Sequence, residues 1–328
     1  MTGAFPVTRG RQQTKGRCVA GPAASGEQWA LVLAGGDGRR LQALTQALTG
    51  VPIPKQYCRI VGDRSLLEST LLRTRHLVPH ERTLVIVNHD HLDVARDQLN
   101  ALPRHCLLVQ PRNCDTGPGL LFSLLHLARR SPQATVAVFP SDHYVGNECR
   151  FVEHVQRATR IVEEVPEKIV LLGIPPDRPE PGYGYVEPAQ PLRMVGGEGA
   201  FHVGRFQEKP TLAGARSILA RGGLWNSFVM VFRLPRMLAL MHEVLPAEFE
   251  EMRSLPADAA VAAARYRDLR PWNFSTAFLA RIPEHLVVLR AEDVQWSDWG
   301  TQQAIERTFK SLKIRPPWRA RKLAPAAA

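Results

Sequence analysis

A strand that runs straight into a glycine-rich turn and a pair of arginines leaves a chain few ways to fold. Trp29-Ala30-Leu31-Val32-Leu33-Ala34 carries no charge and reads as a short buried strand. Gly35-Gly36-Asp37-Gly38 follows, and glycine lets backbone pass closest to a ligand. Arg39 and Arg40 then open an expected helix through Leu41, and Val51-Pro52-Ile53-Pro54-Lys55-Gln56 sets a further cation in a stiffened loop. Strand, amide-lined turn, helix N-terminus, Arg40 and Lys55 together describe a cradle for a polyphosphate. From the glycines alone, a surface connector with solvated basic neighbours reads the same. Two known phosphate loops are excluded by spacing. The dinucleotide fingerprint needs a third glycine where Arg40 or Leu41 stands, and the P-loop needs a Gly-Lys-Ser/Thr that does not follow.

The remainder of the chain bounds the protein that carries this turn. At 328 residues it can bury a full core, and 45% hydrophobic with 22% charged residues is ordinary for a soluble globule. No apolar run reaches the length of a membrane span, and the first residues lack the apolar segment of a secretory signal. The net charge of +11 first suggests nucleic acid. Its distribution argues otherwise: residues 1–27 contribute +3 and residues 310–328 contribute +6, which leaves +2 for everything between. We therefore expect two disordered basic tails, 1–27 and 310–328, around one catalytic domain at 28–309, with neither nucleic acid nor membrane as partner. Cys18, Cys58, Cys106, Cys114 and Cys149 are odd in number and lack C-x-x-C spacing. They point to neither a disulfide framework nor a zinc site, and fit a reducing cytoplasm.

Strand and helix then alternate. Asp63 to Glu68 feeds a helix to about Leu77, Thr83 to Val87 is a strand with Asn88 as helix cap, and His105 to Val109 is a strand ending at Gln110. His89-Asp90-His91 is not read as a metal site, because alternation points the two histidines apart. The loop Arg112 to Gly119 starts a helix through Leu127, and Thr135 to Phe139 is a strand ending at Pro140-Ser141-Asp142-His143. Such alternation predicts an α/β, doubly wound sheet with its sites at strand C-terminal ends. The second half is less regular. Strands are expected at Lys168–Gly173, from Gly182, at Phe201–Gln207, at Phe228–Phe232 and at Leu286–Leu289, with a helical region from about Pro235 to Tyr266.

The opening stretch resembles the sugar-phosphate nucleotidyltransferase family, whose motif reads L-A-G-G-x-G-x-R-L, then P-L-T/S, then P-K-P/Q. Leu33 to Gly36, Gly38, Arg40, Leu41, Leu44, Thr45, Pro54, Lys55 and Gln56 match it, while Ala43 replaces a proline. The resemblance runs in matching order from about Trp29 to Phe309. It implies a Rossmann-like (glycosyltransferase-A-like) fold with a mixed, mostly parallel central sheet and helices on both faces. It also implies Asp142 in Pro-Ser-Asp-His as one metal ligand, and Gly-Tyr-Gly-Tyr with Gly184 as the sugar strand. Glu208 is then assigned to the sugar, Lys209 to its phosphate and Asn226 to the sugar again, with Phe228 in place of a glycine. Trp-Ser-Asp-Trp-Gly resembles the corresponding segment of mannose-1-phosphate guanylyltransferases and supplies the second metal ligand, Asp298; Cys114 stands where those proteins have arginine.

The physical logic is that two anions must meet. Arg40 would neutralise the leaving pyrophosphate, Lys55 the α-phosphate side and Lys209 the incoming sugar phosphate, with Mg2+ held by Asp142 and Asp298. Leu33, Ala34, Gly35, Gly36 and Gly38 would bind the nucleotide, and Gln110 with the loop from Thr116 would read the base, guanine first. Taken singly, Asp142 reads equally well as a turn cap, and Tyr183, Tyr185 and the tryptophans as packing. The expected reaction joins GTP and mannose 1-phosphate into GDP-mannose and pyrophosphate. Thymidylyl, uridylyl or cytidylyl transfer to another hexose 1-phosphate is the alternative within the class. Outside it stands a non-catalytic nucleotide-sugar-binding relative, which Ala43, Cys114 and Phe228 favour.

Overall fold

In the computed structural model, which describes residues 27–193, 197–256 and 258–320, the first half alternates as the pattern requires. It runs β1 (Gln28–Leu33), α1 (Gln42–Thr49), α2 (Leu66–Thr74), β2 (Thr83–Asn88), α3 (Leu92–Leu99), β3 (Leu107–Gln110), α4 (Thr116–Ala128) and β4 (Thr135–Pro140). The second half continues with β5 (Tyr144–Val145), α5 (Glu148–Glu164), β6 (Ile169–Ile174), β7 (Gly184–Pro191), β8 (Ala200–Glu208), α6 (Leu212–Ala220) and β9 (Leu224–Arg233). After it come α7 (Leu234–Val244), α8 (Pro246–Arg253), α9 (Ala259–Asp268), α10 (Phe274–Ala277), β10 (Leu286–Arg290), β11 (Trp296–Ser297), α11 (Gln302–Ser311) and α12 (Pro317–Ala320).

Nine strands form one sheet in the order β3-β2-β1-β4-β9-β6-β10-β8-β7, and β5 pairs with β11 in a separate ribbon. The expectation of a mixed sheet holds, but "mostly parallel" needs correction. Among the described residues, β1–β2, β1–β4, β2–β3 and β6–β10 pair parallel. β4–β9, β6–β9, β7–β8, β7–β9 and β8–β10 pair antiparallel. Helical crossovers between successive strands account for the parallel pairs of the first half; in the second, β6 and β10 pair parallel across a longer connection, β7 and β8 are joined directly, and β9 returns between β4 and β6 in the opposite direction.

Period-two alternation splits β1 between two cores. Trp29 and Leu31 join Leu84, Ile86 and Val138 under α4 and α7, while Ala30 and Val32 join Val85, Val87 and Phe139 under α5. A third, smaller cluster packs Leu41 and Leu44 against Trp299, Ile305 and Phe309, tying α11 to the glycine turn.

Several boundaries differ from expectation. Arg39–Leu41 is a 3-10 turn before α1. Asn88 caps no helix with its side chain, because that amide is turned back into the glycine turn. The region from Pro235 to Tyr266 breaks at Pro246 and again before α9. The N-terminal tail, 1–27, lies outside the described residues apart from Glu27. At the other end the expected tail is ordered further than its composition suggested: α11 reaches Ser311, and Trp318 of α12 packs on Phe309 with ring centroids 5.2 Å apart. Cys58, Cys106 and Cys114 are free and buried, whereas Cys149 is disulfide-bonded, which the cysteine spacing did not announce. No helix among the described residues is long and apolar enough to cross a membrane.

Candidate active site

Because β1 to β4 run parallel, their C-terminal ends share one rim of the sheet. A cleft of about 570 Å³ opens there. Its lining includes Leu33, Gly35, Gly36, Arg40, Gln110, Thr116 and Asp142 from the first half, and Gly184, Glu208, Lys209, Asn226 and Asp298 from the second. Ala34, Gly38 and Lys55 do not line it; they sit just behind its wall, as the bonds below show.

The glycine turn is fixed from behind. Gln56 Nε2 donates to the carbonyls of Ala34 (3.2 Å) and Gly36 (2.6 Å), Tyr57 Oη to that of Ala34 (2.7 Å), and Asn88 Nδ2 to that of Gly35 (2.7 Å). With those carbonyls engaged, the N–H groups of Gly35 and Gly36 keep no protein partner among the described residues, as an anion-binding turn requires. Gly38 sits at φ 62°, and a Cβ there would lie 3.1 Å from the Lys55 amide nitrogen. The position demands glycine on both counts.

Two carboxylates are brought together by the β5–β11 ribbon. Its register pairs Tyr144 with Ser297, so one further step sets His143 opposite Asp298 and leaves Asp142 alongside. Lys55, with only 7% of its side chain exposed, lies between them. Its ammonium is 3.3 Å from Asp142 Oδ2 and donates to the carbonyl oxygens of Asp298 and of Trp299, the latter at 3.0 Å. Burial would push the Asp142 carboxyl up, but the Lys55 ammonium and His143 outweigh it and hold it below the usual aspartate range. Tyr183 Oη donates to Asp298 Oδ1 at 2.6 Å, and the Gly300 N–H reaches the same oxygen at 2.9 Å. Burial, reinforced by the Asp298 charge, raises the Tyr183 hydroxyl well above its ordinary value, so it stays a donor. Among the described residues no three His, Cys, Asp or Glu side chains gather as a metal site. Two hard carboxylates on one side of an open cleft nevertheless fit magnesium, which takes its other oxygens from phosphate and water.

At the far end, β7 pairs with β8 so that Gly184 faces Glu208. A Cβ on Gly184 would come within 2.6 Å of Glu208 Oε2, so the glycine makes room for that carboxylate. Lys209 follows at φ 44°, its ammonium exposed and 3.1 Å from Glu208 Oε1. Asn226 Oδ1 accepts from the Phe228 N–H at 3.1 Å across a bulge in β9. Phe228 stands at φ 60°, a conformation natural to the glycine it replaces.

The third wall faces α4. Gln110, 3% exposed, accepts from Tyr266 Oη on Oε1 (3.1 Å) and donates through Nε2 to Asn88 Oδ1. Its amide is therefore fixed in orientation, with one lone pair and one N–H to spare. Thr116 Oγ1 accepts from the Phe274 N–H at 3.0 Å and lies 3.2 Å from Asp115 Oδ1. Cys114 is fully buried beside the Tyr266 carbonyl and does not reach the cleft. Sequence reasoning missed Asn273 and Ser275, which complete this wall. It placed Tyr183 in the sugar strand, with packing as the alternative, and did not foresee its bond to Asp298.

Residues 29–313 match the family model described as nucleotidyl transferase. The chain is 34% identical over 220 residues to the xanthan biosynthesis protein XanB of Xanthomonas campestris pv. campestris (strain B100), covering 66% of this chain and 44% of that protein. It is 28% identical over 291 residues to mannose-1-phosphate guanylyltransferase 2 of Escherichia coli O157:H7, covering 84% of this chain and 58% of that protein. It thus spans about half the length of these curated relatives. Among solved structures, that of mannose-1-phosphate geranyltransferase from Thermus thermophilus aligns with a TM-score of 0.74 at 31% identity, covering 86% of this chain and 79% of that one.

Proposed function

The chain belongs to the nucleotidyl transferase family, and on that premise we propose that it transfers a nucleotidyl group from a nucleoside triphosphate to a sugar 1-phosphate. The observation that carries this reading is the union, in one cleft, of an amide turn with Arg40, a carboxylate pair and Lys209. In the proposed step, an oxygen of the sugar 1-phosphate attacks the α-phosphorus. A new P–O bond forms, the α–β bridging bond breaks, and pyrophosphate departs with the electron pair. No protein nucleophile is required. The glycine turn and Arg40 bind the β- and γ-phosphates, Lys209 draws in the sugar phosphate, and Glu208 with Asn226 orients the sugar. Lys55 holds Asp142 and the Asp298 backbone in place and adds positive charge behind the α-phosphate. Asp142 and Asp298 are the residues that would hold magnesium, whose charge would offset that of the reacting phosphates.

GTP and mannose 1-phosphate are the proposed substrates, supported by the likeness to the guanylyltransferase above and by a Gln110 amide oriented to donate and accept. Cys114, lying outside the cleft, does not weigh against guanine. Pyrophosphate release measured across five triphosphates, each with mannose or glucose 1-phosphate, tests the reading. Turnover is expected with GTP and mannose 1-phosphate. Preference for UTP or dTTP would defeat the base assignment, and silence with every pair would defeat the enzyme.

A further inference from the structure

Behind the catalytic wall lies a smaller cavity, of about 120 Å³, between α2 and the start of α5, where apolar side chains such as Ile60 and Leu66 share the lining with polar ones. Arg73 of α2 lies along it with 4% of its side chain exposed. Its guanidinium donates to Thr70 Oγ1 at 2.7 Å and makes one long contact, 3.4 Å, with Glu148 Oε1, while its Nε has no partner. A buried guanidinium is costly unless well paired; Arg73 lies 5.6 Å from the Phe151 ring centroid, and Glu148, itself 35% exposed, is the one carboxylate beside it. The other polar groups on the cavity are Arg64, Ser69 and Tyr144. Neither hydroxyl has a hydrogen-bond partner among the described residues. The N-terminus of α5, capped by Asn147, adds its positive end. Arg64, Ser69, Arg73 and Tyr144 thus line one cavity with a single carboxylate, Glu148, that is 35% exposed.

We propose that this cavity is a binding site for a small tetrahedral oxyanion of the phosphate type, held by Arg73, Arg64 and the hydroxyls of Ser69 and Tyr144. Its volume admits a few water-sized groups and excludes a nucleotide. The bound ion offers closer acceptors to the guanidinium end that Glu148 reaches only at 3.4 Å, and it displaces Glu148. Occupancy has a route to the catalytic wall: Tyr144 stacks on Trp299 (centroids 5.1 Å apart, planes 8° apart), and the Trp299 carbonyl accepts from Lys55. The proposal does not rest on the transferase reading, because its test needs no turnover.

Titration calorimetry of the full chain with inorganic phosphate is the test, read in variants that spare buried Arg73. Arg64→Ala should weaken binding about tenfold or more, as for a lost charge-assisted hydrogen bond. Glu148→Gln should tighten it, because the competing charge is gone. Lys209→Ala, in the catalytic cleft, should leave the component that responds to Arg64→Ala and Glu148→Gln unchanged. Phosphate that ignores Arg64→Ala and Glu148→Gln but is lost in Lys209→Ala binds the cleft instead, and overturns the proposal. Absence of phosphate binding at millimolar concentration overturns it as well.

Discussion

Replacing Phe228 by glycine and, separately, by alanine isolates the strain stored in the bulge of β9. Phe228 holds φ 60°, where an L-residue with a Cβ is disfavoured by ~1–2 kcal/mol. Its half-buried ring packs edge-on against Phe274 at 5.9 Å. Removing that ring costs both variants the same contact and the same buried area, about 1–3 kcal/mol together. They differ only in the Cβ. At an ordinary strand position alanine is more stable than glycine by roughly 0.5–1 kcal/mol, because glycine loses more backbone freedom on folding. At position 228 relief of the left-handed strain exceeds that loss. Phe228→Gly should therefore be the more stable variant, by about 0.75 kcal/mol from the middle of each range. For a domain of this size that is a gap of about 1–2 °C in Tm. Urea titration with unchanged slope is the assay. An alanine variant equal to or above glycine would refute the claim that this backbone is strained. The same pair tests function: both enlarge the cleft beside Asn226, so both should accept bulkier sugar phosphates than the parent does.

Four further outcomes follow from the site. Asp142→Asn or Asp298→Asn should lower pyrophosphate release by about 100-fold or more at limiting magnesium while leaving the fold intact; near-normal turnover in both would remove the carboxylate pair from the mechanism. Lys209→Ala should raise the KM for sugar phosphate with little change for triphosphate, and Arg40→Ala the reverse; an equal loss of triphosphate affinity would misplace Lys209. Gln110→Ala should weaken GTP about three- to tenfold, and it strands Tyr266 Oη and Asn88, so a stability loss of roughly 1–3 kcal/mol should accompany it; unchanged calorimetric affinity for GTP would end its role at the base. Finally, Lys55 depresses the Asp142 pKa in the fold, so that pairing contributes stability fully above the usual aspartate range and loses it as pH falls through the lower folded value. The urea midpoint gap between the parent and Asp142→Asn, with chelator present, should thus close on going from neutral to strongly acid pH; a constant gap would contradict the pairing.

Most of the scaffold was legible because its signals are local. Charge-free strands followed by glycine, proline or asparagine gave β1 to β4, and parallel order followed from the intervening helices. The direction of β9 was not legible, since nothing in Leu224–Arg233 says which neighbours it will find. At the site, the motif-bearing residues were readable as types at spacings. Their supports were not: Tyr183 on Asp298 and Tyr266 on Gln110 join residues more than 100 positions apart. Asn273 and Ser275 escaped because the helices between β9 and β10 looked like filler, yet the chain after α9 folds back over the cleft. Phe228 was recognised as a departure, but only its φ shows that it kept the backbone of a glycine.

The ribbon of β5 and β11 also fixes when, during synthesis, the protein can begin to work. Tyr144 must wait for Ser297, and Lys55 for the carbonyls of Asp298 and Trp299. Strand β10, at residues 286–290, is likewise an interior member of the sheet, flanked by β6 and β8. A nascent chain that has exposed everything up to residue 280 therefore has its glycine turn and Asp142 but neither a closed sheet nor the second carboxylate. On the proposed reading, such a chain lacks one of the two carboxylates that the chemical step needs.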